Sequence, residues 1–214
     1  MGLLDRIAAR RPDIEPPAPP AVVVDAPVFA TKALRKFLST LTSRPSPLLL
    51  DLGPVVGSNV SFFGEQLGCK IFVEDIFADL DRHVREDKLD KLPEFLKKRF
   101  PQQGGTVDGI LCWDLLDYLD KPSAQSLADE LTRLLRPDGA LLGFFFSAAA
   151  PDLRYTKYTI VDDVNLKYRP YAAARGRQTV LLNRDIIRLF GGLRVSDSFL
   201  LQNNLREILF RKPA

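Results

Sequence analysis

The sequence predicts an α/β fold, a three-layer sandwich around a mostly parallel sheet of six or seven strands that ends in an antiparallel hairpin. An apolar run, Leu48 to Leu50, ends in Asp51 and leads through Gly53 into a helical pattern, as expected of a strand that turns into a helix. Further strand-like runs alternate with helical segments, which favours parallel strands joined by crossover helices. The last two apolar runs are separated only by residues 202–204, a link short enough to require an antiparallel hairpin.

The chain divides into an N-terminal arm, residues 1–26, and a domain, residues 27–214. Residues 3–10 have the pattern of a short amphipathic helix, and the prolines between positions 12 and 20 exclude a regular helix there, so we expect the arm to be flexible. The domain is predicted to open with a helix at Pro27, because proline suits the first helical position. Apolar residues then recur at four-residue spacing: Phe29, Ala33, Phe37 and Leu41.

The remaining elements follow in order along the domain. Strands are predicted at 48–52, 70–73, 107–113, 140–146, 193–201 and 205–212, and helices at about 57–68, 77–100 (two helices split near Pro93), 122–135 and 183–190. Asn183 is expected to cap the last helix. The run 140–146 is apolar throughout, which is typical of a central strand covered on both faces. No strand that ends in an acid stands out between Phe77 and Gly104.

Composition excludes several classes of function. The net charge of +3 is too small to indicate nucleic-acid binding, and no apolar run approaches the roughly 20 residues of a membrane span. The start of the chain resembles neither a signal peptide nor a myristoylation motif, so we expect a cytoplasmic protein that does not bind membranes. Cys69 and Cys112 lack metal-ligand spacing and are expected to be buried thiols. The single histidine, His83, lies among charged residues, so neither a histidine triad nor a metal site is expected.

Residues 151–180 interrupt the alternation with a segment rich in tyrosine and basic residues. It holds four of the five tyrosines and six arginines or lysines against three acids. One interpretation is a lid or recognition element for an anionic or aromatic substrate, because arginine binds carboxylate and phosphate in a bidentate manner. The candidate substrate-binding residues are Tyr155, Tyr158, Arg169 and Tyr171. The alternative is a surface β excursion with charged faces.

The first strand and its turn resemble the class I S-adenosylmethionine-dependent methyltransferases. Residues 51–57, Asp-Leu-Gly-Pro-Val-Val-Gly, are similar to that family's first motif, D-x-G-x-G-x-G, with Val55 in place of the middle glycine. Gly53 allows the chain to turn sharply beside a ligand, and Gly57 is expected to permit close packing at the helix start. The resemblance covers about residues 28–212, and it implies a set of cofactor-binding residues: Asp51, Gly53, Pro54, Gly57, Asn59, Glu74, Asp75, Cys112, Trp113 and Asp114.

The resemblance also assigns roles. Glu74 ends the second strand and would accept hydrogen bonds from the ribose hydroxyls of the cofactor, with Asp75 as the competing choice. Trp113 would stack on adenine or close the pocket, or else pack in the core. Asp114 would meet the cofactor or substrate, or else cap the next turn. The family has no universal catalytic residue, and the candidates for a base are Asp114, Asp117 and Tyr118.

The function implied is transfer of a methyl group from S-adenosylmethionine to an unidentified acceptor, with S-adenosylhomocysteine as the product. The alternative is a non-catalytic binding or scaffold protein of the same fold. Val55 and the missing acid-terminated strand favour that alternative. A nicotinamide-dependent oxidoreductase is disfavoured, because it would have G-x-G-x-x-G after the first strand. The acceptor and the oligomeric state are not predicted.

Overall fold

The computed structural model describes residues 26–148, 154–172, 179–201 and 204–214, so the predicted N-terminal arm lies outside the described residues except for Ala26. The strands are β1 Val28–Ala30, β2 Leu48–Asp51, β3 Lys70–Val73, β4 Val107–Trp113, β5 Leu135–Phe146, β6 Arg154–Ile160, β7 Asn165–Ala172, β8 Arg194–Leu200 and β9 Leu205–Arg211. The helices are α1 Leu34–Thr42, α2 Gly57–Ser61, α3 Ile76–Arg85, α4 Leu92–Leu96, α5 Lys121–Leu134 and α6 Asn183–Leu189. None of the helices described is long and apolar enough to cross a membrane.

The main sheet confirms the predicted fold class. It has six strands in the order β3-β2-β4-β5-β9-β8, of which the first four are parallel. β9 pairs antiparallel with β5 and with β8, which is the predicted C-terminal hairpin. β3 is an edge strand, because the segment 77–100 forms helices rather than another strand. Pro93 lies in the first turn of α4, where the missing N–H costs nothing.

The helices and a second sheet cover the two faces of the main sheet. One apolar cluster joins alternate residues of β2 and β4 to α3, α4, α5 and α6. The other joins the opposite face to α1, to the π-helical turn Phe62–Gln66 and to β6 and β7. β5 is buried on both faces from Ala140 to Phe145, as its continuous apolar sequence predicts. The result is the expected three-layer sandwich.

Two predictions about local structure are wrong. Residues 28–30 do not begin a helix; they form β1, which pairs antiparallel with β7, and the ring of Phe29 stacks on that of Tyr168 at 4.0 Å between centroids. This pairing is a long-range contact that outweighs the local preference of Pro27 for a helix. Asn183 is the first residue of α6 rather than its cap, and the cap, Leu182, makes no side-chain hydrogen bond.

The tyrosine-rich and arginine-rich segment forms a hairpin, which we call the β6–β7 hairpin (residues 154–172). Its strands pair antiparallel with each other, and β1 extends them into a three-stranded sheet in the order β1-β7-β6. The alternation of a strand puts Tyr158 and Ile160 on the buried face of the hairpin, towards the main sheet. Lys157 and Arg169 therefore lie on its outer face.

Candidate functional site

The carboxyl ends of β2, β3 and β4 meet at one edge of the main sheet. Asp51 pairs in register with Val73 on one side and with Leu111 on the other, so the residues that follow those strands lie next to one another. The backbone N–H of Glu74 donates to the carbonyl of Asp51 at 2.7 Å. Ligands of open α/β sheets bind in the crevice at this edge.

Asp51 is buried and fixes the turn that follows β2. Its Oδ1 accepts hydrogen bonds from the backbone N–H of Gly53 at 2.9 Å and from the indole N–H of Trp113 at 2.6 Å. Burial raises the pKa of Asp51 to about 6, although these two hydrogen bonds act in the opposite direction. One carboxylate therefore joins the end of β2 to the end of β4.

Trp113 occupies the space directly beside Gly53. A Cβ atom added to Gly53 would lie 2.8 Å from Cδ1 of Trp113, so the indole packs where only a glycine leaves room. Its ring stacks on that of Tyr158 at 5.0 Å and 5° between the planes, and only 3% of the residue is exposed. Trp113 also has a φ of 49°, a left-handed conformation that bulky residues rarely adopt and that occurs often at functional sites.

Glu74 is already hydrogen-bonded through both of its carboxylate oxygens. Arg99 donates to Oε2 at 2.6 Å, and the side-chain amide of Gln102 donates to Oε1 at 3.1 Å. Arg99 also donates to Asp79 at 2.7 Å, so its guanidinium bridges two acids. Each carboxylate oxygen has two lone pairs, and Glu74 therefore retains acceptor capacity for a ligand. The neighbouring Asp75 instead caps α3, accepting from the N–H of Ala78 at 3.0 Å.

Asn59, in the helix α2 that follows the turn after β2, binds the β6–β7 hairpin. The side-chain amide of Asn59, which is 2% exposed, donates to the carbonyl of Tyr158 and accepts from the N–H of Ile160, both at 2.9 Å. Pro54 is buried. Close packing was the reason expected for glycine at position 57, and this is wrong, because no atom lies within 4 Å of a Cβ placed there.

A second group of acids follows β4. Asp114 is fully buried, and neither of its oxygens makes a well-formed hydrogen bond within the described part of the chain. The hydroxyls of Thr156, Tyr158 and Tyr118 are near enough to lower its pKa, but burial dominates and raises that pKa to about 7. The buried thiol of Cys112 lies on the preceding residue, and its pKa is also raised by burial.

Asp117 is also fully buried, and its carboxylate accepts the backbone N–H of Phe146 at 2.7 Å. Burial raises its pKa well above the ordinary value, and the charge of Asp114 raises it further. Tyr118 is 5% exposed, and its pKa is raised by burial first and then by the two nearby acids. The three candidates for a base therefore lie together in a site of low polarity.

The three candidate substrate-binding residues whose side chains are described lie at different places on the β6–β7 hairpin. Tyr155 stacks on Phe77 of α3 at 5.0 Å between ring centroids, and Tyr158 stacks on Trp113. Arg169 lies on the outer face of the hairpin and is exposed. Tyr171 pairs in register with Tyr155, and its side chain lies outside the described part of the structure.

Sequence reasoning missed Arg99, Gln102 and the partners of Asn59. Arg99 and Gln102 lie 25 and 28 residues from Glu74, and no local pattern marks either as its partner. Asn59 was assigned to the cofactor, but its amide is engaged by the hairpin. Among the residues described, no group of three or more histidine, cysteine or acidic side chains is arranged to hold a metal ion.

No protein-family model and no curated protein matches the chain. Among solved structures, the PH0226 protein of Pyrococcus horikoshii OT3 is 15% identical, with 84% of this chain and 88% of that chain covered and a TM-score of 0.50. The [4+2]-cyclase SpnF is 13% identical, with 85% and 81% covered and a TM-score of 0.50.

A third solved structure is the 1,6-didemethyltoxoflavin-N1-methyltransferase of Burkholderia thailandensis, which contains 1,6-didemethyltoxoflavin and S-adenosylhomocysteine. It is 17% identical, with 85% and 79% covered and a TM-score of 0.49. Identities this low establish the fold alone. Together with the strand order and the terminal hairpin, the matches to the PH0226 protein and to SpnF show a Rossmann-like α/β fold. This fold agrees with the one that the resemblance of the sequence to the class I methyltransferases implies.

Proposed function

We propose that this chain is an S-adenosylmethionine-dependent methyltransferase. The observation that carries the proposal is the meeting of Asp51, Gly53 and Glu74 at the carboxyl edge of β2 and β3 in a methyltransferase fold. Asp51 and Glu74 supply carboxylates that can accept hydrogen bonds from an ammonium group and from ribose hydroxyls, and Gly53 supplies a turn without a side chain beside them.

Asp51 and Glu74 have the hydrogen-bonding groups that the cofactor requires. In the described structure these carboxylates already accept hydrogen bonds from other residues of the chain. Glu74 would bind the ribose hydroxyls through the lone pairs that Arg99 and Gln102 leave, and Asp75 is the weaker choice because it caps α3. Access to Gly53 requires the Trp113 indole to leave its position against Tyr158. We therefore assign the described arrangement to a closed state, in which the β6–β7 hairpin covers the crevice.

When bound, the cofactor supplies an activated methyl group on a sulfonium, so the contribution of the protein is mainly to position the acceptor. Asp114 is the best placed candidate for a base. A carboxyl whose pKa lies near 7 can accept a proton from an acceptor at neutral pH. Burial and then the charge of Asp114 raise the pKa of the neighbouring Asp117, and Tyr118 contributes a hydroxyl near Asp114.

The acceptor is unidentified. An anionic acceptor is favoured by the surplus of basic residues in segment 151–180, which has six arginines or lysines against three acids. An aromatic acceptor would instead use the tyrosines of the same hairpin, of which Tyr158 faces Trp113.

Titration calorimetry with S-adenosylmethionine and S-adenosylhomocysteine tests the proposal. Wild type is expected to bind in the micromolar range, and Glu74→Ala is expected to weaken binding at least about tenfold, because it removes a charged acceptor of hydrogen bonds. Asp75→Asn is the matched control, since asparagine retains the cap of α3 and should bind as wild type. Folded wild type that binds neither compound up to about 1 mM would contradict an enzyme that acts alone.

A second candidate function is a non-catalytic binding or scaffold protein of the same fold. Two contacts favour it specifically: the Trp113 indole occupies the space beside Gly53, and Arg99 and Gln102 hold both oxygens of Glu74. The likeness in fold to a [4+2]-cyclase agrees with a fold that is not restricted to methyl transfer. This candidate predicts no response to either cofactor form in the calorimetric titration.

A further inference from the structure

Arg99 joins the acid at the end of β3 to the helix that follows it. Its Nη1 donates to Oε2 of Glu74 at 2.6 Å, and its Nε donates to Oδ2 of Asp79 at 2.7 Å. Asp79 lies in α3, which begins at Ile76 directly beyond the turn after β3. Because the donors of a guanidinium form a rigid planar fork, the two carboxylates are held in a fixed relation to each other. Glu74 is thereby tied to α3 through its side chain as well as through the backbone.

The backbone of Arg99 is anchored in the core. Arg99 lies in the turn after α4, where its N–H donates to the carbonyl of Leu96 at 3.3 Å. Leu96 has no exposed surface, and Phe100, the next residue after Arg99, is 5% exposed. A side chain that is fixed at its backbone and at its charged end has little conformational freedom left. Arg99 can therefore hold Glu74 in one orientation.

The carboxylate of Glu74 is contacted on both of its oxygens. Arg99 donates to Oε2, and the side-chain amide of Gln102 donates to Oε1 at 3.1 Å. The last torsion of a glutamate side chain is broad, so a carboxylate without such contacts would rotate. With one contact on each oxygen, rotation would break a hydrogen bond, and one lone pair of each oxygen stays available. Two acceptors fixed in this way suit the two neighbouring hydroxyls of a ribose.

Arg99 is the stronger of the two donors to Glu74. Its hydrogen bond joins two charged groups, and such bonds are roughly twice as strong as neutral ones. The amide of Gln102 is neutral and meets Glu74 at a longer distance, and its own Oε1 has no hydrogen-bond partner in the described part of the chain. The orientation of Glu74 therefore depends mainly on Arg99.

We propose that Arg99 is a positioning residue that orients Glu74 for the ribose hydroxyls of S-adenosylmethionine, an inference that rests on the proposed function. Arg99 sets the direction of the Glu74 carboxylate before the cofactor arrives, so binding does not have to immobilise it. Immobilising one flexible side chain lowers affinity by about twofold to tenfold. The effect of Arg99 on the cofactor passes entirely through Glu74.

Calorimetric titration with S-adenosylhomocysteine and with its dideoxy analogue, which lacks both ribose hydroxyls, tests this role. Arg99→Gln is expected to bind S-adenosylhomocysteine about twofold to tenfold more weakly than wild type and to bind the analogue as wild type does. In the Glu74→Ala background, Arg99→Gln should cause no further loss, because the residue that it orients is gone. Near-UV circular dichroism at the titration temperature checks that each variant is folded.

Arg82→Gln is the matched control, since Arg82 also donates to Asp79, at 2.8 Å, and is not among the donors described for Glu74. It should leave the affinity for S-adenosylhomocysteine unchanged. Equal losses in Arg82→Gln and Arg99→Gln would show a general effect of charge and overturn the proposal. A loss that is as large for the dideoxy analogue, or that persists in the Glu74→Ala background, would show a merely structural role and also overturn it.

The same titrations separate this inference from the proposed function. If Glu74→Ala weakens binding and Arg99→Gln does not, the positioning role is wrong and the proposed function stands. If folded wild type does not bind S-adenosylhomocysteine, both are overturned.

Discussion

Two pairs of acids at the same edge of the sheet have opposite surroundings. Asp51 and Glu74, at the ends of β2 and β3, accept well-formed hydrogen bonds from Trp113, Gly53, Arg99 and Gln102. Asp114 and Asp117, after β4, are fully buried, and together they leave three carboxylate oxygens without a well-formed hydrogen bond in the described structure.

This difference in hydrogen bonding suggests different roles for the two pairs of acids. The first pair stabilises the arrangement of the crevice that the structure describes, since each acid connects elements that are distant in sequence. The second pair lowers stability when charged, because burial of a charge without a partner is costly. Buried acids with strongly shifted pKa values occur mostly at functional sites. Asp114 is therefore the stronger candidate for catalysis, and Glu74 is the stronger candidate for binding.

The largest expected effect is on the pH dependence of stability. Asp114 has a pKa of about 7 when folded and an ordinary value near 4 when unfolded, so between these pH values the native state holds a proton that the unfolded chain has released. The free energy of unfolding should therefore fall as pH rises from about 4 to about 7, by as much as about 4 kcal/mol. Asp114→Asn should remove that part of the slope, as measured by denaturant unfolding at several pH values.

An exposed acid provides the control for this experiment. Asp90→Asn changes an exposed carboxylate that pairs with Lys91 at the surface, and it should keep the wild-type slope of stability between pH 4 and pH 7. If Asp114→Asn keeps the wild-type slope between pH 4 and pH 7, Asp114 is not the buried acid that the structure indicates.

The next effect concerns the contact between Gly53 and Trp113. Gly53→Ala places a methyl group 2.8 Å from the indole and should destabilise the protein by about 1–3 kcal/mol, the usual cost of overpacking. Gly57→Ala is the control, because no atom lies within 4 Å of its Cβ position, and it should be neutral or stabilising. Chemical denaturation compares the two, and equal stability would show that Trp113 is not packed against Gly53.

The smallest effect is on the network around Glu74. Arg99→Gln should cost about 1–2 kcal/mol, because Glu74 and Asp79 lose a shared, half-buried cation. Arg82→Gln removes a more exposed cation from Asp79 and should cost less than about 0.5 kcal/mol. Thermal or denaturant unfolding compares the two variants. Equal losses of stability would mean that the ion pairs of Arg99 contribute no more than an ordinary surface ion pair does.

The fold was predictable because its signals are local. Each signal lies within the element that it predicts. The apolar runs that end at Asp51 and Glu74 predict β2 and β3, the glycine after β2 predicts a turn, and the short link before β9 predicts the hairpin. The contacts of the site were not predictable, since they join residues far apart in sequence: Asn59 reaches β6, and Trp113 stacks on Tyr158. β1 was missed for the same reason, because its partner strand lies more than 130 residues away, as in the pair Ala30 and Asn165.

The central claim is that the crevice binds S-adenosylmethionine and that Trp113 must then leave Gly53. Trp113 is the only tryptophan of the chain, so its fluorescence reports on this site alone. Titration with S-adenosylhomocysteine should give a saturable change in emission as the indole leaves Tyr158, and Glu74→Ala should shift that titration to higher concentration. Unchanged emission up to about 1 mM, from protein that near-UV circular dichroism shows to be folded, would contradict the account and favour the non-catalytic alternative.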